Sequence, residues 1–113
     1  MGRLLQIRVS AWTYSEDEVR NTWPSLWKLA WQDSNAIPKK GVMELADAVF
    51  DAVRAGLIPD DQAKALKENA EKADELRQSI EKALGDWQPG EADKLTYALE
   101  DTMDALEDIA ADF

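Results

Sequence analysis

Cysteine and histidine are both absent from this chain of 113 residues. Without cysteine there is no disulfide, thiolate nucleophile, iron–sulfur cluster or cysteine-based zinc site. Without histidine there is no Ser-His-Asp or Cys-His relay, no imidazole acid–base chemistry near neutral pH, and almost no route to a transition-metal site. Catalysis is left with carboxylates holding a hard cation such as Mg²⁺, or with Lys, Tyr and carboxylate acid–base chemistry. Glycine and proline are sparse, five and four respectively, so the composition is neither collagen-like nor linker-like. No run approaches the roughly 18 apolar residues of a membrane span. The apolar run in MGRLLQIRVS is too short for a signal peptide, and Gln6 stands where N-myristoylation wants Ser or Thr. These absences lead to the expectation of a cytoplasmic, non-enzymatic protein with no cofactor.

Positive charge is also scarce. Thirteen Lys and Arg face 23 Asp and Glu, for a net charge of −10. The imbalance sharpens along the chain. Residues 1–40 hold six basic groups and four acidic, 41–85 hold six and ten, and 86–113 hold one and nine. Such a chain repels nucleic acid and anionic membranes. Its expected partners are a basic protein or a second copy of itself.

What is abundant is apolar surface, at 45% of residues, and tryptophan, at five. A chain of this length forms one domain, 1–113, with a core of its own. Four of the tryptophans and one of the two tyrosines fall between Trp12 and Trp31.

Residues 3–11 alternate, with Leu5, Ile7, Val9 and Ala11 on one side and Gln6, Arg8 and Ser10 on the other. This is the period of a strand. No second convincing strand is present, and a lone strand leaves its backbone groups unpaired. It pairs with its copy in a second chain, pairs with the irregular stretch 34–41, or is a helix after all. The first is favoured, giving a two-fold homodimer.

Ser15 with Glu18 reads as a capping box. Pro24 interrupts the helical pattern beyond it, so residues 16–33 read as a broken helical segment of about 16–22 and 24–33. Trp23, Trp27 and Trp31 are spaced by four and share one stripe, widened by Leu26 and Ala30. Trp12, Tyr14, Trp23, Trp27 and Trp31, with Leu5, Ile7 and Val9, are the candidate core-or-interface set.

Three amphipathic helices make up the remainder of the chain. In 41–55 the apolar face is Val42, Leu45, Ala46, Val49, Phe50 and Val53, and Gly56 is its stop. In 60–84 the seam is Ala63, Leu66, Ala70, Ala73, Arg77, Ile80 and Leu84, with Gly85 as the stop and Arg77 expected to reach solvent. In 90–110 it is Ala92, Leu95, Leu99, Thr102, Leu106 and Ile109, continuing to Phe113. The turn DWQPG joins the last two as an antiparallel hairpin. The fold class is therefore all-α: three long helices and a short Trp-rich helix in a bundle, with one N-terminal strand.

Two acidic sets are candidate sites. Glu100, Asp101, Asp104, Glu107, Asp108 and Asp112 line the expected exposed side of the last helix. Several of them sit where the helix dipole disfavours negative charge, by roughly 0.3–1 kcal/mol each. A basic partner would compensate. The second set is Glu44-x-x-Asp47 and Glu71-x-x-Asp74, with 23 residues between them. Their spacing resembles that of the all-α nucleoside triphosphate pyrophosphohydrolases, with Asp47 standing where that family has Glu. The resemblance implies an Mg²⁺-dependent nucleotide hydrolase with these four as metal ligands. Against it, Glu44 and Asp47 lie opposite the apolar face of their helix. The function expected is a small acidic protein-interaction or regulatory protein. The alternatives are that hydrolase, or an acidic mimic of nucleic acid that occupies a DNA-binding protein.

Overall fold

The computed structural model describes residues 5–7, 11–13, 15–31 and 41–113, with the backbone alone for 5–7, 11 and 12. Val9, Tyr14 and the loop 32–40 lie outside the described residues, as do the side chains of Leu5, Ile7 and Trp12.

The fold is all-α. Among the described residues there are five helices: α1 (Glu16–Thr22), α2 (Pro24–Trp31), α3 (Val42–Arg54), α4 (Asp60–Gly85) and α5 (Pro89–Ala110). Each boundary has a local cause. The Ser15 hydroxyl accepts from the Glu18 N–H at 3.3 Å and caps α1, with Glu16, Asp17 and Glu18 in the favourable first turn. Trp23 ends α1 and its carbonyl accepts from the Trp27 N–H, so α2 starts with Pro24 in the first position, where a missing N–H is harmless. Pro59 and Pro89 mark the starts of α4 and α5.

The N-terminal backbone departs from the expected strand over 3–11. Leu5–Ile7 (β1) pairs antiparallel with Ala11–Thr13 (β2), with Gln6 opposite Trp12. The partner is inside the same chain, so the ladder does not call for a second copy. The alternation that suggested one strand falls instead on two short paired segments, Leu5–Ile7 and Ala11–Thr13.

The α4–α5 hairpin packs along its length, α3 packs on α4, and α2 covers α3 and α5. Val19, Trp23, Leu26, Val42, Leu45, Ala46, Val49, Leu66, Ala70, Ala73, Ile80, Ala92, Leu99, Met103 and Leu106 are fully enclosed in one core. Alanines at 70, 73, 83 and 92 let the long helices approach closely. The buried stripe of α5 is broader than a heptad seam, because Thr96, Glu100, Met103 and Ala110 are also enclosed. α5 is touched by α4 on one side and α2 on another, and so buries more than one stripe. Phe113, expected as the last residue of that seam, lies past the helix end and is exposed.

Candidate functional site

The tryptophan stripe divides between core and surface. Trp23 and Trp31 are buried, whereas Trp27 is half-buried and meets Trp31 edge-on with ring centroids 4.8 Å apart. Trp23 and Trp31 are thus enclosed among the core residues. Each fills the space between α2 and its neighbours, a use suited to the large area an indole can bury.

The expected acidic surface is split in the same way. Glu100 is buried among the core residues of α5. The Asp104 carboxylate accepts from the Trp23 indole N–H at 2.9 Å. One oxygen of Glu107 accepts from the backbone N–H of Ser25 (2.9 Å) and of Leu26 (3.1 Å). α2 has no acid in its own first turn, so Glu107 supplies from α5 the negative charge that its N-terminus wants. The acids near the end of α5 thus find compensation in the first turn of α2. Asp101, Asp108 and Asp112 remain exposed.

The four carboxylates of the hydrolase resemblance are not brought together as a ligand set. Glu44 accepts from the Gly41 N–H at 3.2 Å and helps cap α3. Thr13 Oγ1 accepts from the Val42 N–H at 2.9 Å, closing the same end from the hairpin. A Cβ at position 41 would collide with both side-chain oxygens, so any residue but glycine there must displace them. Asp47 and Asp74 converge on the Arg77 guanidinium, at 3.5 and 2.8 Å, with Glu81 at 3.3 Å. Gln78 donates to the other Asp74 oxygen at 2.6 Å. Burial disfavours the charge on Arg77, but the hydrogen bond to Asp74 and the charges of Asp47, Asp74 and Glu81 outweigh it and raise its pKa. Arg77 does not extend freely into solvent as expected. It ties α3 to α4, its charge held where a cation would have to sit. Glu71 is exposed and lines a groove between α3 and α4. Among the described residues no three His, Cys, Asp or Glu are grouped as a metal site.

The most conspicuous exposed residue is one that composition alone did not single out. Trp87, in the turn between α4 and α5, is 80% exposed and has φ 57°. Its N–H donates to the Leu84 carbonyl at 3.1 Å, and the Gln88 N–H donates to the Ala83 carbonyl at 2.7 Å. This is a Schellman termination, in which the residue after the cap is left-handed and is normally glycine. The end of α3 shows the ordinary version. There Gly56 has φ 72°, and the Leu57 N–H donates to the Ala52 carbonyl at 3.1 Å. Gly85, expected as the stop of α4, is its last helical residue, two positions too early for that role. The sequence carried a usable signal: with Pro89 opening α5, the reversal must fall on Asp86–Gln88, and none of these is glycine.

Two grooves lie among the described residues. One, of about 400 Å³, lies between α3 and α4 and is lined by Phe50, Val53, Ala63, Arg54, Lys64 and Lys67, with Asp60 and Glu71 at its rim. The other, of about 420 Å³, lies at the opposite pole from Trp87 and includes Leu29, Leu57, Ile58 and Phe113. No protein family, curated protein or solved structure matches this chain.

Proposed function

We propose that the chain is a non-catalytic protein–protein interaction module that presents Trp87, at the tip of the α4–α5 hairpin, to a basic partner. One observation carries this reading: a tryptophan occupies a left-handed position where glycine would be unstrained, and its ring lies in solvent. A left-handed backbone costs an L-residue about 1–2 kcal/mol. An exposed ring recovers little of that inside the fold, and strain of this kind concentrates where a surface has work to do. Tryptophan is the residue most enriched among interface hot spots, and its face attracts cations. Asp86 and Glu91, both exposed, flank it in sequence, and the net charge of −10 favours a cationic partner.

The alternatives draw less support. A nucleotide hydrolase needs carboxylates that Arg77 and the α3 cap already engage. A mimic of nucleic acid needs an outward acidic face, and Glu100, Asp104 and Glu107 are turned to internal work. A homodimer through the N-terminal strand loses its main motive once β1 has β2 as partner.

The test is quantitative capture with the wild-type chain and with Trp87→Ala, followed by calorimetry on any purified basic protein recovered. A hot-spot tryptophan predicts affinity about 30-fold weaker for the variant. Equal affinities for the two chains would sink the proposal.

A further inference from the structure

We propose that the groove between α3 and α4 binds a small apolar monocarboxylate, such as a medium-chain fatty acid. Its floor is apolar: Phe50, Val53 and Ala63, all half-buried. Its rim carries three cations, Arg54, Lys64 and Lys67, in a chain that has only thirteen basic residues against 23 acidic. Its volume of about 400 Å³ lies within the range of ordinary ligand pockets, about 300–1,000 Å³.

The two lysines are the specific point. Lys64 has Asp60 and Glu68 four residues away on either side, and Lys67 has Glu71, so ion pairs at helical spacing are open to both. Among the described residues neither lysine forms one, whereas Arg77 on the same helix pairs with Asp74 and Glu81. Both ammonium groups are exposed beside an apolar floor. Arg54 lies over the Phe50 ring at 5.4 Å and pairs with Asp51 at 3.2 Å. That pair is solvent-exposed on both sides and is readily exchanged for another carboxylate.

Charge also limits the ligand. Asp60 and Glu71 on the rim repel a polyanion, so a nucleotide or polyphosphate is disfavoured. A single carboxylate with an apolar tail satisfies both the floor and the three cations.

Binding of decanoate, well below its micellar concentration, is measured by calorimetry and by amide chemical shifts of the labelled full chain. Decanol and ATP are the comparison probes. The expected result is saturable decanoate binding, with shifts concentrated in residues 50–71. Lys64→Gln/Lys67→Gln, on an exposed helix face, should keep the helical spectrum and weaken decanoate about tenfold. The proposal is overturned by no saturable binding, by decanol or ATP binding as tightly as decanoate, by shifts centred on Leu57 and Phe113 instead, or by a double variant that binds as the wild type does. None of these outcomes bears on Trp87, which lies at the other end of α4.

Discussion

Trp87→Ala and Trp87→Gly form a pair that isolates the backbone strain at the hairpin tip. Both remove the indole, so any contact the ring makes is lost equally. About a fifth of residue 87 is covered, which at about 25 cal/mol per Å² over roughly 30–50 Å² is worth about 1 kcal/mol. The two variants differ only in Cβ. At φ 57° a Cβ crowds the neighbouring carbonyl and costs about 1–2 kcal/mol. Glycine recovers that strain but gives the unfolded chain more freedom, an opposing effect of about 0.4–1 kcal/mol. The glycine variant should therefore exceed the alanine variant by about 0.5–1 kcal/mol and lie close to the wild type. For a chain of this size that is a Tm difference of about 2–4 °C, and a urea midpoint difference of roughly 0.5 M. Both are read from helical circular dichroism at 222 nm, a signal dominated by the helical backbone that both variants should retain. An alanine variant as stable as the glycine variant would refute the reasoning. Residue 87 would then carry no left-handed strain, and the interaction proposal would lose the observation it rests on.

The glycines at the two helix ends should respond in opposite senses. Gly56→Ala has open space for its methyl but φ 72°, so it should lose about 1 kcal/mol, whereas Gly85→Ala, helical and unobstructed, should gain up to about 1 kcal/mol, both by chemical denaturation. Glu107→Ala removes the acceptor for two N–H groups at the start of α2 and should cost about 1–2 kcal/mol, while Asp108→Ala, on the exposed side of the same helix, should stay within about 0.5 kcal/mol of wild type. Gly41→Ala must displace Thr13 and Glu44 from the start of α3 and should cost about 1–3 kcal/mol, seen as a lowered melting temperature.

The helical class was legible because its causes are local. Apolar spacing, the proline before α4 and those opening α2 and α5, and the Ser15 cap all act within a turn or two of the chain. What was not legible depends on elements distant in sequence. Nothing near Glu107 says that the first turn of α2, 82 residues away in the chain, lies against it. Nothing near Thr13 says that it caps α3. The pairing of Leu5–Ile7 with Ala11–Thr13 was hidden because alternation reads the same across two short paired segments as along one strand. Arg77 looked like a residue stretching to solvent because its pairing with Asp47 is a property of two helices side by side, not of α4 alone.

The two kinds of apparent misfit in the sequence separate once the fold is known. Acids near the C-terminal end of a helix break a local electrostatic rule, and that was the motive for looking to an outside partner at α5. The start of α2 resolves part of that misfit from within, since Asp104 and Glu107 both accept donors from residues 23–26. The misfit at Trp87 finds no such resolution. Its backbone bonds close the helix as well as glycine's would, and they do not use the ring. A cost that the fold itself compensates says nothing about a partner, whereas a cost left standing on an exposed ring does. On that difference rests the proposal of an interaction at the tip of the hairpin rather than at the Trp segment or the acidic helix expected from the sequence.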